Sequence, residues 1–131
     1  MIILDATTKS LQVLLAGAVS TTQPSFSTSY VDVETTTWGL NGMHETDGQT
    51  NGATAVTIVA APASGDARQV KNIFLYNNDN ANIVVTIRVN NNGTFRNIFS
   101  ATLATLETLH YGDDGWQVLA ADGRLKIDNN V

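Results

Sequence analysis

The fold is decided by a stretch near the middle of the chain, Ile83-Val84-Val85-Thr86-Ile87-Arg88-Val89-Asn90-Asn91-Asn92-Gly93-Thr94. Apolar residues occupy every odd position from Ile83 to Val89, which is the period-2 pattern of a strand with one buried face. The dipeptide Asn92-Gly93 then supplies the positive φ angles that a tight hairpin turn requires. The sequence therefore predicts a β-hairpin between residues 81–90 and residues 93–103.

Short segments of β-branched and aromatic residues lie on both sides of this hairpin. Arg68–Tyr76 has apolar residues at both odd and even positions, which predicts a central strand covered on both faces. Residues 101–109 are predicted to form a strand, a tight turn and a second strand. Leu109–Tyr111, Trp116–Leu119 and Leu125–Ile127 predict three further short strands. Turn signals recur about every 8–12 residues, as in all-β sandwiches. Six dipeptides of turn type punctuate the chain: Asn41-Gly42, Asp47-Gly48, Asn51-Gly52, Asn92-Gly93, Asp114-Gly115 and Asp122-Gly123.

These patterns predict an all-β protein, an antiparallel β-sandwich of jelly-roll-like architecture. Residues 1–10 are expected to form an N-terminal arm that could add to a neighbour's sheet, and residues 11–131 a single sandwich domain. The alternative is that Ile2-Ile3-Leu4 is the first strand of the chain's own sheet. Residues 35–53 lack alternation, so they are expected to form one long loop, and such loops often carry function. Leu11–Val19 imitates a short signal peptide, but the acidic Asp5 stands where such a peptide is positively charged. We expect a chain that is used without export.

Composition narrows the functional classes. The chain has 131 residues and no cysteine, which excludes disulfides, thiolate catalysis and cysteine-ligated metals. Seven Lys and Arg residues stand against 12 Asp and Glu, so no nucleic-acid partner is expected. No apolar run reaches the roughly 18–20 residues of a membrane helix, and no membrane partner is expected. Polarity is carried instead by 17 Thr and 13 Asn residues.

Groups able to perform catalysis are few. His44 lies close in sequence to Glu45 and Asp47, a weak pattern for a metal ion or a polarised base. His110 falls in a predicted strand, and Asp113-Asp114-Gly115 lacks the ligand spacing of a calcium loop. We therefore expect no enzyme activity, no catalytic residue, no metal and no cofactor.

Carbohydrate binding is the other chemistry that the composition allows. Trp38, Tyr30 and Trp116 could stack on a sugar, and the Asn-rich turns could supply hydrogen bonds to it. Nothing in the spacing of these residues specifies a sugar site.

Several stretches resemble small structural proteins of tailed bacteriophages and prophages. The opening residues from Met1 to Val19 carry the resemblance, and so do Asn51–Pro62, Arg68–Asp79 and Leu109–Lys126. Such proteins are β-sandwich or jelly-roll units of the virion. The resemblance therefore implies a particle component with no catalytic residues to transfer.

We interpret the chain as a capsid decoration (cement) protein that bridges capsomers. Its expected partners are further copies of itself, in a homotrimer, and the major capsid protein. It would be made in the host cytoplasm and lie on the outer capsid surface of the virion. The alternative is a tail-fibre or baseplate module that binds a host receptor or glycan. The expected partner-binding residues are the apolar ones of the N-terminal arm and of the long loop: Ile2, Ile3, Leu4, Trp38, Leu40 and Met43.

Overall fold

A computed structural model describes residues 1–126, which form ten β-strands and no helix. The strands are β1 (Ile2–Leu4), β2 (Lys9–Leu15), β3 (Ser25–Glu34), β4 (Leu40–Gln49), β5 (Val56–Val59), β6 (Asp66–Tyr76), β7 (Ile83–Asn91), β8 (Thr94–Leu103), β9 (Thr108–Gly112) and β10 (Gly115–Leu119).

Two antiparallel sheets pack against each other. Sheet A has the order β10-β9-β6-β3-β4, with β1 paired to β6 as a sixth strand, and sheet B has the order β5-β2-β7-β8. The predicted antiparallel β-sandwich is confirmed. Within the described residues, consecutive strands belong to the same sheet in only three places, the hairpins β3–β4, β7–β8 and β9–β10. Every other connection crosses the sandwich, so neighbours in space are distant in sequence.

The hairpin predicted from residues 83–94 is present as β7 and β8. The two strands pair from Ile83 opposite Leu103 to Asn91 opposite Thr94. Asn92 and Gly93 form the turn with φ angles of 50° and 90°, because a two-residue loop that follows the strand twist needs positive φ at both positions. The predicted strand, tight turn, strand over residues 101–109 is also present, as β8, a short turn and β9.

The core lies between the sheets and is built from alternate residues. In β2, Leu11, Val13 and Leu15 are buried, and their neighbours in sequence are half-buried. Sheet A contributes the equivalent alternate residues of β6 and β9, among them Ile73 and Leu109. Burial of such apolar area is the main favourable term for folding.

The N-terminal arm predicted for residues 1–10 requires correction. Ile2–Leu4 pair with Val70 to Arg68 of β6, and residues 9 and 10 already belong to β2. Leu4 is only 1% exposed and belongs to the hydrophobic core. The opening residues are therefore a strand of this chain's own sheet, because their inward side chains complete the core.

The long loop predicted for residues 35–53 also requires correction. Ten of these residues form β4, which pairs along the whole length of β3, so the loop before it spans only residues 35–39. Asn41-Gly42 forms a bulge in the strand rather than a turn, and Asp47-Gly48 is also within the strand. Because β4 is an edge strand with both faces largely exposed, it needs no apolar alternation, and periodicity could not detect it.

The strand predicted for Arg68–Tyr76 is present at that position, but the prediction that both of its faces are covered is wrong. β6 is central in sheet A, yet Val70, Ile73 and Leu75 are buried whereas Phe74 and Tyr76 are exposed. A register shift between Ser29 and Tyr30 of β3 inserts one extra residue into β6 between Val70 and Asn72. This β-bulge changes the parity of the strand, so its two ends bury residues of opposite parity.

Of the three short strands predicted near the C-terminus, two are present as β9 and β10, and Asp113-Asp114 forms the turn between them. Leu125 makes a single bridge to Leu119, and Ile127 lies outside the described residues.

A buried carboxylate joins two crossing connections. Asp79 accepts hydrogen bonds from the backbone N–H groups of Ser20, Thr21 and Thr22, at 2.8, 2.8 and 3.1 Å. These N–H donors, led by that of Ser20, hold the pKa of Asp79 well below its usual range. The residues before β3 and those after β6 are thereby fixed to each other.

Candidate functional site

The outer face of sheet A, the face that points away from the core, carries several exposed apolar side chains. No strand of the described residues covers this face. The large apolar side chains exposed on it are Ile3, Leu40, Met43, Phe74 and Tyr76. The corresponding face of sheet B is richer in polar side chains, such as Gln12, Thr86 and Ser100.

The strand register brings three of the sequence-predicted residues to one end of this face. Met43 pairs with Val31, Val31 with Gln69, and Gln69 with Ile3, so the four side chains form one row across four strands. Leu40 lies opposite Val33 beside this row. We call Ile3, Val31, Val33, Leu40 and Met43 the apolar end of the outer face. Ile3, Leu40 and Met43 are 52%, 64% and 76% exposed, so the apolar end is open to a partner.

The structure separates the other three predicted residues from this group. Ile2 and Leu4 point inward, because neighbouring residues of a strand face opposite sides, and Leu4 is buried while Ile2 packs against the core. Trp38 lies in the short connection before β4, 73% exposed and with a φ angle of 59°. Its backbone N–H donates to the carbonyl of Glu34, which closes that turn at 2.8 Å.

At the other end of the same face, small residues of β3 create a depression that we call the serine trough. Its floor is formed by the β3 segment Ser25–Ser27, whose two serine side chains lie on the outer face while the ring of Phe26 packs in the core, and it has a volume of about 340 Å³. One wall is acidic and belongs to β4, and the other is aromatic and belongs to β6. The complete lining is Ser25, Phe26, Ser27, Glu45, Asp47, Phe74 and Tyr76.

Register explains why these residues meet. Ser27 is directly opposite Asp47 on one side and Phe74 on the other, and Ser25 is opposite Tyr76. The hydroxyl of Ser27 donates to Glu45 Oε1 at 3.0 Å. The carboxylate wall and the aromatic wall therefore face each other across a single strand of small side chains, about two strand spacings or 10 Å apart.

The aromatic wall is supported from behind by a histidine. The imidazole of His110, on β9, stacks on the ring of Phe74 with centroids 4.5 Å apart. Gly112 makes room for this ring, because a Cβ atom at that position would lie 3.0 Å from His110 Cε1. Phe74 is thus fixed on one side and presents its other side toward the serine trough.

Sequence reasoning missed this trough for a specific reason. Parity placed Val70, Phe74 and Tyr76 on one side of a strand, and only the bulge in β6 separates the buried Val70 from the exposed aromatic pair. A sequence signal did exist, since Ser25, Ser27 and Ser29 alternate along β3. It became meaningful only when the neighbouring strands were known.

The aromatic residues first considered for sugar stacking lie elsewhere. Tyr30 is buried, with the guanidinium of Arg68 4.5 Å from its ring centroid. Trp116 stacks on Phe99 with centroids 4.4 Å apart and also contacts Tyr111. Both rings therefore pack against other side chains of the sandwich.

The strongest electrostatic cluster lies inside the sandwich, beneath the apolar end. Arg68 donates to both carboxylate oxygens of Asp32, at 2.7 and 2.8 Å, and to the carbonyl of Ala60 at 2.8 Å. Both side chains are nearly buried, and the hydrogen bonds from Arg68 lower the pKa of Asp32. This bidentate pair connects β3 and β6 to the end of β5, which is a structural role.

The metal pattern considered around His44 does not assemble. His44 faces inward, where it stacks on Tyr30 and places Nε2 3.3 Å from Asp32 Oδ2. Glu45 and Asp47 face outward on the same strand, so the three side chains do not converge. Within residues 1–126, no group of three His, Cys, Asp or Glu residues is arranged to hold a metal ion.

None of the described residues forms a helix long and apolar enough to span a membrane. No protein-family profile, curated protein or solved structure matches this chain.

Proposed function

We propose that the chain is a capsid decoration protein of a tailed bacteriophage, which binds the outer surface of the head as a homotrimer and bridges neighbouring capsomers. The observation that carries the proposal is the apolar end of sheet A. Ile3, Leu40 and Met43 are exposed together there, on a rigid sheet and next to a free edge strand. Leu40 and Met43 flank Val31 and Val33 directly, while Gln69 lies between Val31 and Ile3 in the row. Exposed apolar side chains grouped on one face and rimmed by polar residues mark interaction sites.

The mechanism would be additive burial of surface. A standard protein interface buries about 1,600 Å² in total, and a shell with many copies repeats that gain at every site. The sandwich contributes rigidity, because the apolar end is supported from below by the core residue Leu4 and by the bidentate pair of Asp32 and Arg68. Symmetric association of identical copies suits a shell of repeated subunits.

The first experiment is immunogold labelling of intact particles of the phage or prophage that encodes the chain. Label distributed over the head supports the proposal. Label confined to the tail tip overturns it in favour of the alternative, a tail-fibre or baseplate module that binds a host surface. Particles without label overturn both assignments.

A binding assay then tests the surface. Particles that lack the chain are incubated with purified protein, and the bound fraction is measured after sedimentation. The variant Leu40→Asp/Met43→Asp introduces two charges at the apolar end and is expected to abolish binding. Val84→Asp is the matched control, because Val84 is an exposed apolar residue on the outer face of sheet B. Equal binding by all three proteins would exclude the apolar end as the contact.

A further inference from the structure

The serine trough, defined above, lies at the opposite end of the outer face from the apolar end. Ser25 and Val31 are six residues apart on β3, which corresponds to roughly 20 Å along an extended strand. The two surfaces come closest on β4, where Glu45 and Met43 are two residues or roughly 7 Å apart. The aromatic side of the trough is therefore the part farther from a contact made through the apolar end. The trough's volume of about 340 Å³ falls within the range of small-molecule binding sites.

The aromatic wall offers apolar ring surface next to groups that form hydrogen bonds. Phe74 and Tyr76 are 43% and 39% exposed, which is high for large rings in the middle of a sheet. The stack with His110 holds Phe74 in a fixed orientation at no further entropic cost to a ligand. Such rings bind flat ligands whose faces carry C–H groups.

The rest of the trough supplies mainly hydrogen-bond acceptors. Glu45 and Asp47 are carboxylates that only accept, and the hydroxyls of Ser25, Ser27 and Tyr76 both accept and donate. None of the residues that line the trough is Lys or Arg. A ligand that fits must bring several donors of its own and must not be negatively charged, because two uncompensated carboxylates would repel an anion.

We propose that the serine trough is a binding site for neutral sugars. A pyranose ring has the three required features: a C–H face for Phe74 and Tyr76, hydroxyl donors for Glu45 and Asp47, and further hydroxyls for the serine floor. Sugars that carry carboxylate, phosphate or sulfate groups are excluded by charge. The trough is open at the surface of the sheet, so a short oligosaccharide enters with its chain along β3. This inference does not depend on where the chain lies in a virion.

The test begins with a glycan array that holds neutral and anionic oligosaccharides. Binding confined to neutral glycans is expected. The best neutral trisaccharide is then titrated into the isotopically labelled chain and followed by two-dimensional NMR. Backbone amides of residues 25–29 and 74–76 are expected to shift, and those of the outer face of sheet B to stay unchanged.

Three variants identify the wall that binds. Tyr76→Ala is expected to weaken binding about fivefold to tenfold, the range of one aromatic contact, and Asp47→Asn to weaken it by removing a charged acceptor. Phe95→Ala is the matched control. Phe95 is an exposed ring on the outer face of sheet B, with the Arg88 guanidinium 3.8 Å from its centroid. The same NMR spectra report whether each variant is folded.

Several results would overturn the inference. The first is the absence of binding to any neutral glycan on the array. Another is a trisaccharide whose shifts map outside the trough, or an affinity that Phe95→Ala reduces as much as Tyr76→Ala. Tighter binding of acetyl-arginine amide than of the trisaccharide, at the same residues, would assign the trough to a cationic side chain of a partner protein instead.

Discussion

Two adjacent residues of β1 test whether the N-terminus is part of the sandwich. Leu4 is 1% exposed and belongs to the core, while its neighbour Ile3 points outward and is 52% exposed. Leu4→Ala removes three buried carbon atoms, worth about 2.4 kcal/mol at roughly 0.8 kcal/mol each. The cavity that remains adds to this loss, so we expect a decrease of about 3 kcal/mol in the free energy of unfolding.

The control substitution, Ile3→Ala, removes the same number of carbon atoms from a side chain that is half in solvent. We expect a decrease below about 1 kcal/mol, since exposed positions contribute little to stability. Urea unfolding followed by circular dichroism measures both values. In thermal unfolding, the Leu4 variant should melt roughly 10 °C lower, at about 3–4 °C for each kcal/mol in a domain of this size.

The outcome that contradicts this reasoning is a small and equal effect of the two substitutions. It would mean that residues 1–10 are a free arm, one of the two interpretations that their sequence allowed, and that β1 does not contribute to the core. A large and equal effect would also be incompatible with the structure, because it would place Ile3 in the core as well.

Four further predictions concern the rest of the fold. Arg68→Met leaves the Asp32 carboxylate buried without its cation and should lower the free energy of unfolding by about 3 kcal/mol. The double variant Arg68→Met/Asp32→Leu should recover much of that loss, and a double-mutant cycle based on urea unfolding measures both effects. The pKa of Asp79 is lowered in the folded state, so the ionised carboxylate contributes fully to the free energy of unfolding above about pH 4, and this contribution is lost as the pH falls further. The free energy of unfolding, measured as the pH is lowered, should therefore change less for Asp79→Asn than for the unmodified protein. Gly93→Ala should cost about 1 kcal/mol, since Gly93 has a φ angle of 90° although a Cβ atom would meet nothing within 4 Å; Gly17→Ala, equally open but without a positive φ, should be neutral in the same assay. Excess EDTA should leave the melting temperature unchanged, and a drop of several degrees would reveal a metal site.

Much of the architecture was predictable from the sequence alone. The alternation from Ile83 to Val89 and the Asn92-Gly93 turn determined the β7–β8 hairpin, because period-2 burial and positive φ are local requirements. Leu11, Val13 and Leu15 of β2 show the same alternation in the sequence, and all three are buried. The class of fold follows from many such segments, each of which can bury only one face.

Other features were decided by tertiary structure. β4 shows no alternation because it lies at an edge, and which strand becomes an edge depends on the order in which the whole sheet assembles. The apolar sequence Ile2-Ile3-Leu4 is compatible with a free arm as well as with a strand, and the pairing with β6 makes it a core strand.

The two surfaces of the outer face depend on tertiary structure even more strongly. The apolar end joins residues from β1, β3 and β4, which meet through the pairings of a sheet whose neighbours are far apart in sequence. The serine trough requires in addition the bulge in β6, which turns Phe74 and Tyr76 outward while Val70 stays in the core. A bulge arises from the register between two strands, so a single strand's sequence does not contain the information that places it.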